Sequence, residues 1–220
     1  MQIHHLKQQN SVLQHFIAEI RDVNIQKDRM RFRRNIERIG EVLGYELSKE
    51  LDYAHHTLET PLSSTEAFLL KDQLVIGSIL RAGLPMHQGL LNYFDHAENL
   101  FISAYRHYTN EDKTDFEIIV EYLACPSLTD KTLIIADPML ASGHSFVSVF
   151  SALKKMGNPK SIHLVSAIGS PEGVDYLSMR FPETTHLWIA AIDEKLNDKG
   201  YIIPGLGDAG DLSFGSKLQH

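Results

Sequence analysis

The sequence predicts an α/β fold: a mostly parallel sheet flanked by helices, with N-terminal helices, a projecting hairpin and a glycine-rich C-terminal segment. Three observations carry this. From residue 73 onward, apolar runs of strand length alternate with segments of helical period. The runs are apolar at nearly every position, as in strands covered on both faces. Glycine- or charge-rich segments stand at predicted strand ends, at 81–83, 137–145 and 200–211. In such sheets that is the end where ligands bind.

Each element follows from its pattern. Val12, Leu13, Phe16, Ile17, Ile20 and Val23 share one helical face within 11–24. The basic segment after it spaces Met30, Phe32, Ile36, Ile39, Val42 and Leu43 for a second helix. Its Arg31, Arg33 and Arg34 read as a solvated face, or else as a subunit or anion contact. "LETPLSST" at 58–65 reads as a loop before the main fold. Strands are predicted at 73–80, 99–106, 115–123, 131–136, 161–169 and 186–192. The turn "TNEDKT" at 109–114 makes the second and third of these a projecting hairpin. Helices are predicted at 84–94, 145–156 and 171–180. The 145–156 helix carries Phe146, Val149, Phe150, Leu153 and Met156 as one stripe, with Gly157 where a C-terminal cap belongs. The tail from 197 fits neither period. Nothing marks a repeat or an internal linker, so 1–220 is expected to be a single domain.

Composition limits the function. The chain has 220 residues, 43% of them apolar, and a formal charge of −7. That acidity argues against broad electrostatic binding of nucleic acid. With one cysteine, Cys125, no intrachain disulfide forms, and a reducing, cytoplasmic setting is expected. The N-terminus lacks a signal-peptide core. No apolar run approaches the roughly 20 residues of a membrane span, so no membrane partner is expected.

The chemistry concentrates in "LIIADPMLASGHS", 133–145. It matches neither a Walker loop nor G-x-G-x-x-G. It does place Asp137 at a strand end and Ser142 and Ser145 at a helix N-terminus. Free N–H groups and the positive end of a helix dipole hold phosphate without lysine. An ionised carboxylate only accepts hydrogen bonds, so Asp137 suits sugar hydroxyls. Together they suit a phosphorylated sugar. The plainer alternative makes Asp137 a turn residue and a serine the helix N-cap.

This loop resembles the phosphoribosyl pyrophosphate motif of type I phosphoribosyltransferases, in the D-P-M-L-A form found in the uracil phosphoribosyltransferase family. "ILRAGL" at 79–84 is similar to that family's pyrophosphate-side loop. "AAIDEKLNDKGYIIPGLGDAGDLSFGSK" at 190–217 is similar to its C-terminal base-binding segment, and "SPEGVDYL" at 170–177 to the helix start between them. "IGEVLGYEL" at 39–47 extends the likeness to the N-terminal helices, so it spans nearly the whole chain.

The resemblance implies a type I phosphoribosyltransferase-like fold. The implied reaction transfers ribose 5-phosphate from 5-phosphoribosyl 1-pyrophosphate (PRPP) to N1 of uracil, giving UMP and pyrophosphate. It implies a PRPP site of Arg81, Arg106, Asp137, Pro138, Met139, Leu140, Ala141, Ser142, Gly143, His144, Ser145 and Asp208. Arg81, Arg106, Asp137 and Asp208 would be the catalytic group. The two arginines would face the pyrophosphate, where a guanidinium bonds two oxygens at once; the alternative for each is a surface ion pair. Uracil would lie on Ile202, Gly207, Asp208 and Ala209. Its O2, N3–H and O4 form an acceptor–donor–acceptor edge that main-chain groups can read where Gly205, Gly207 and Gly210 let the backbone approach and Pro204 fixes one φ. Tyr201 would pack beside the base or in the core. Mg²⁺ would ride on the pyrophosphate, held mostly by substrate and water rather than by a protein cage. The resemblance also implies a homodimer or higher homo-oligomer and, as in some family members, GTP as an allosteric activator. The hairpin around 106–123 would be a lid.

His144 stands where the family has glycine. If its φ is negative, a side chain costs little there, because Gly143 remains for the strained geometry. Its imidazole would then point outward or touch the ligand. Two rivals share the fold: a pyrimidine-responsive RNA-binding regulator and an inactive homologue. The His-His pairs at 4–5 and 55–56 lack zinc spacing and a cysteine partner, and are expected to be exposed. Trp188 is expected in the core, and Cys125 outside the chemistry.

Overall fold

A computed structural model describes residues 1–8, 10–108 and 116–217, and for 104–108 and 116–119 the backbone alone. The "TNEDKT" turn lies outside the described residues. In chain order the elements are β1 (Gln2–His5), α1 (Leu13–Arg21), α2 (Arg29–Ser48), β2 (Tyr53–Glu59), β3 (Ser64–Leu70), β4 (Leu74–Leu80), α3 (Leu84–Leu91) and β5 (Glu98–Tyr108). Then come β6 (Phe116–Ala124), β7 (Thr132–Ala136), β8 (Met139–Leu140), α4 (His144–Leu153), β9 (Ser161–Gly169), α5 (Pro171–Arg180), β10 (His186–Ile192), β11 (Lys195–Leu196), β12 (Ile202–Ile203) and α6 (Ala209–Phe214).

The main sheet runs β1-β10-β9-β7-β4-β5-β6. Every neighbouring pair along it is parallel except β5–β6. Both faces are covered, and strand periodicity divides the apolar residues between two cores. Leu74, Ile76, Ile134, Ala136, Val165, Ala167, Trp188 and Ala190 pack with α1, α2 and α3. Val75, Leu133, Ile135, Leu164, Leu187 and Ile189 pack with α4 and α5. This is why the strands read as unbroken apolar runs. Phe32, Ile36, Ile39, Leu43 and Leu47 of α2 are fully buried on the first face. Each contributes about 1.5–3 kcal/mol by leaving water. Asp28 caps α2 by accepting from the N–H groups of Met30 and Arg31, a device worth about 1 kcal/mol.

Four expectations are corrected. The segment 53–70 is a β-hairpin, so "LETPLSST" contains its turn rather than a loop before the fold. Its strands pair with each other and are mostly exposed on both faces, so no alternating pattern marks them. β1 was not foreseen; it is four residues long and mostly polar, and it forms the sheet edge by pairing with β10. His4 there is not a surface residue like His55 and His56. Its ring stacks on Trp188 at 3.7 Å and its Nε2 lies 3.1 Å from Nδ1 of His186. The predicted helix 145–156 is α4 followed by one 3₁₀ turn, Lys154–Met156, before Gly157 turns at φ 113°. The arginines of α2 are not all solvated: Arg33 donates to the Ser213 carbonyl at 2.7 Å and lies over the Phe214 ring. Trp188 is 3% exposed, as expected.

Candidate active site

Strand direction assembles the site. β4, β7, β9 and β10 are parallel, so the segments after them emerge at one edge of the sheet. From β4 the chain moves to β5 and β6 on one side, then crosses to β7 on the other. The loops at 81–83 and 137–143 therefore flank the point where strand order reverses, the usual crevice of such sheets.

Asp137 leaves β7 and is 9% exposed. Its N–H donates to Val165 O, its carbonyl accepts from the Ser166 hydroxyl at 2.6 Å, and its carboxylate accepts the Met139 N–H at 3.1 Å. Met139 and Leu140 pair with β9 as β8, which keeps the loop close to the sheet. Ala141 is held from outside: its carbonyl accepts from the Ser170 hydroxyl at 2.7 Å. That same hydroxyl accepts the Gly173 N–H and so caps α5.

Gly143 occupies the cap position of α4 with φ 79° and ψ −8°. A glycine there offers no side-chain oxygen to the first N–H groups, so neither serine is the N-cap. His144 opens the helix. Among the described residues Asp130 alone combines a side chain with positive φ, so His144 sits in ordinary geometry and Gly143 takes the left-handed turn. The imidazole does not hang free. Its Nδ1 is 2.8 Å from the Ser142 hydroxyl and its ring stacks on Tyr176 of α5 at 4.5 Å. Arg180 lies over the same tyrosine ring at 5.1 Å.

Arg81 follows β4 through a cis peptide with Leu80. Its Nη2 donates to Asp211 and to the Gly215 carbonyl, both at 3.2 Å. The loop after β4 thus touches the C-terminal segment directly. Arg106 lies in β5, beyond the last β4–β5 pair at Ser103, where β5 pairs only with β6. Its side chain is outside the described part.

The C-terminal segment turns at a cis Ile203–Pro204 bond. Gly207 has φ 94° with open space around its α-carbon, so backbone lies bare to an approaching ligand. Asp208 caps α6 through the Asp211 N–H, and Lys217 donates to its carboxylate at 2.9 Å. Burial opposes its ionisation, but Lys217 and the Asp211 N–H outweigh it and hold the carboxyl below its usual range. Ile202 is buried, whereas Tyr201 is half exposed and not a core residue.

Two groups around this site escaped the sequence pattern. Asp193 and Arg21 pair beneath the Gly205 turn. Asp193 stands directly after the predicted strand 186–192, but nothing in the helical period of α1 points Arg21 toward it. A cleft of about 440 Å³ opens beside them, lined by Gln26, Lys27, Pro204 and Leu212 among others. Cys125 lies away from these loops, and burial pushes its thiol up. Among the described residues no three His, Cys, Asp or Glu side chains gather as a metal site. No helix of the described residues is long and apolar enough to cross a membrane.

A mostly parallel sheet covered by helices on both faces, with loops gathered where its strand order reverses, defines a type I phosphoribosyltransferase-like fold. Comparison narrows this. The family model described as uracil phosphoribosyltransferase matches residues 7–216. The chain is 52% identical over 218 residues to the uracil phosphoribosyltransferase of Porphyromonas gingivalis, covering 99% of this chain and 100% of that one. It is 39% identical over 206 residues to that of Pyrococcus furiosus, covering 92% and 86%. A solved structure of the AQ2163 protein from Aquifex aeolicus superposes with a TM-score of 0.85 at 30% identity, covering 99% and 100%. The chain belongs to the uracil phosphoribosyltransferase family.

Proposed function

We propose that this protein transfers ribose 5-phosphate from PRPP to N1 of uracil, yielding UMP and pyrophosphate in pyrimidine salvage. One observation carries the reading. The phosphate-type loop after β7 and the main-chain-rich segment 202–211 open at the same sheet edge, and Arg81 bridges to the second through Asp211 and Gly215. A sugar phosphate and a base could then meet between them.

In this reading the 5-phosphate lies on the N–H groups of 141–145 at the start of α4, with the Ser142 and Ser145 hydroxyls. Asp137 accepts from the ribose 2- and 3-hydroxyls, and Pro138, Met139 and Leu140 shape the turn between. Arg81 and Arg106 face the pyrophosphate. The exposed main chain of Gly207, Asp208 and Ala209, with Ile202, reads the uracil edge. Cytosine presents an acceptor at N3 and an amine at C4, so it would leave buried groups unpaired. The bond from C1 of ribose to pyrophosphate oxygen breaks, a bond from C1 to uracil N1 forms, and the N1 proton leaves with the pyrophosphate. The ionised Asp208 stabilises positive charge building on the sugar, and the arginines stabilise the leaving group. Positioning supplies much of the rest.

The donor set fits Mg²⁺ carried by the substrate. Asp137 accepts the Met139 N–H and Asp208 accepts from Lys217, so each carboxylate is engaged by the protein itself. The ion would neutralise charge on the departing pyrophosphate. The β5–β6 extension past β4 supports a lid. The reading also carries a cytoplasmic setting and a homo-oligomer. Leu62 and Phe68 of the β2–β3 hairpin are 97% and 69% exposed, an apolar surface suited to a second copy. Neither the RNA-binding regulator nor the inactive homologue is favoured, because the named relatives are enzymes and Gly143 keeps the loop geometry despite His144.

The test is pyrophosphate release with PRPP, Mg²⁺ and each of uracil, cytosine and orotate, with and without GTP. Uracil should be preferred by orders of magnitude. No release with any base would refute the reading.

A further inference from the structure

A segment that reads a base with its main chain must hold that main chain still. Residues 202–209 contain only the two-residue β12 and the first turn residue of α6, so little of the hold is local. It comes from two residues outside the segment. Arg21, the last residue of α1, meets Asp193, just past β10, with Nη1 and Nη2 at 2.8 and 2.5 Å from the two carboxylate oxygens. The Asp193 carboxylate also accepts the Gly205 N–H at 2.9 Å, and Arg21 Nη1 donates to the Gly205 carbonyl at 3.1 Å. One ion pair therefore binds both main-chain polar groups of a glycine that stands two residues before Gly207. The Asp193 N–H donates to Gly169 O at 2.8 Å, which ties the pair to the end of β9.

Stability alone is a poor reason for this arrangement. The Asp193 side chain is 3% exposed and that of Arg21 19%. A pair that buried recovers little more than its desolvation cost, and apolar side chains of similar volume serve a core as well or better. Apolar side chains cannot bond the N–H and the carbonyl of one residue. A bidentate guanidinium–carboxylate pair also fixes direction as well as distance.

We propose that Arg21 and Asp193 form a positioning pair for base recognition. They set the 204–207 turn so that the main chain of Gly207, Asp208 and Ala209 meets the uracil edge. The proposal rests on the functional reading above. Neither residue touches a substrate; both act through Gly205. It follows that α1, remote in sequence from the base segment, takes part in choosing the base.

The test uses the full-length chain with Arg21→Ala and Arg21→Lys. Lysine keeps the charge but cannot span both carboxylate oxygens, so it remains informative where alanine fails to fold. Two quantities are read: KM for each substrate, and hydrogen exchange of a peptide covering 202–209. Arg21→Ala should raise the uracil KM about thirtyfold or more, in the range of broken buried charge pairs, and Arg21→Lys about tenfold. The PRPP KM should stay within about threefold, because its loop is held by Ser170 and β9 instead. Exchange over 202–209 should quicken in both variants. A fall in kcat with both KM values unchanged would mark a merely structural role and overturn the proposal. So would unchanged exchange. A wild-type protein that forms no UMP would refute the functional reading, and the exchange result would then decide the clamp by itself.

Discussion

The sharpest consequence of the geometry concerns Gly173, in the first turn of α5. A Cβ added there would meet the Ala141 carbonyl oxygen well inside the 3.0 Å that real Cβ atoms keep, with Leu140 O at 3.1 Å. These are backbone atoms of the loop after β7, the proposed phosphate loop, so no side chain can swing aside to make room. Gly173→Ala must push the loop and the helix apart by about 1 Å, a displacement that at a reacting centre costs about a hundredfold in rate. The added strain on the fold is about 2 kcal/mol, which lowers Tm by about 4–8 °C in a chain of this size. The expected outcome is a folded protein whose kcat/KM for PRPP falls about a hundredfold, with the uracil KM nearly unchanged. Gly44→Ala is the matched control. Its added methyl would meet Leu90 Cδ2 at 3.1 Å in the α2–α3 contact, where a flexible side chain can yield. Steady-state kinetics with each substrate varied, beside thermal unfolding of all three proteins, give the answer. Wild-type kinetics in Gly173→Ala would refute the claim that α5 sets the position of the phosphate loop.

Other outcomes follow from the same packing. His144→Gly removes one hydrogen bond to Ser142 and one stack on Tyr176, so it should cost about 1–2 kcal/mol of stability and change PRPP affinity only modestly. A loss of affinity beyond about a hundredfold, near 2.7 kcal/mol, would make His144 a ligand group. The histidines around Trp188 should make stability fall with acid. Burial, reinforced by His186 and His4, pushes His163 down to about 3 from 6.5, and burial lowers His4 and His186 as well. The unfolded chain then binds more protons, so stability is complete above about pH 6.5 and is lost as pH falls toward the folded values. His163 alone should cost about 2 kcal/mol between pH 6.5 and 5. His163→Gln, which still accepts from Trp188, should flatten the slope in denaturant unfolding at both pH values; an unchanged slope would count against it. Lys217→Met should free the Asp208 carboxyl to rise toward its ordinary value, and the acid limb of the pH–rate profile should move up with it. A limb that stays in place would mean that Asp208 does not act in its ionised form.

What the sequence by itself determined was the layered architecture and which loops stand at its strand ends. A strand buried on both faces must be apolar at both parities, and a helix on a sheet must be apolar at every third or fourth residue. Those rules gave β9, α5 and β10 their bounds at 161–169, 171–180 and 186–192. The loop after β7 was legible for a similar reason: a left-handed turn needs glycine, and Gly143 supplies it at the start of α4. Elements that bury no face of their own left no period to read. The β2–β3 hairpin packs mainly on itself, and β1 depends on β10. Only the tertiary structure decided which distant residues hold the loops. Arg21 and Asp193 are 172 positions apart, Arg81 and Asp211 130, and Ser170 and Ala141 29. Each of these contacts is a polar bond between one side chain and a point elsewhere on the chain. A single such bond has no period, and its partner is fixed only when packing brings two strand ends to the same edge.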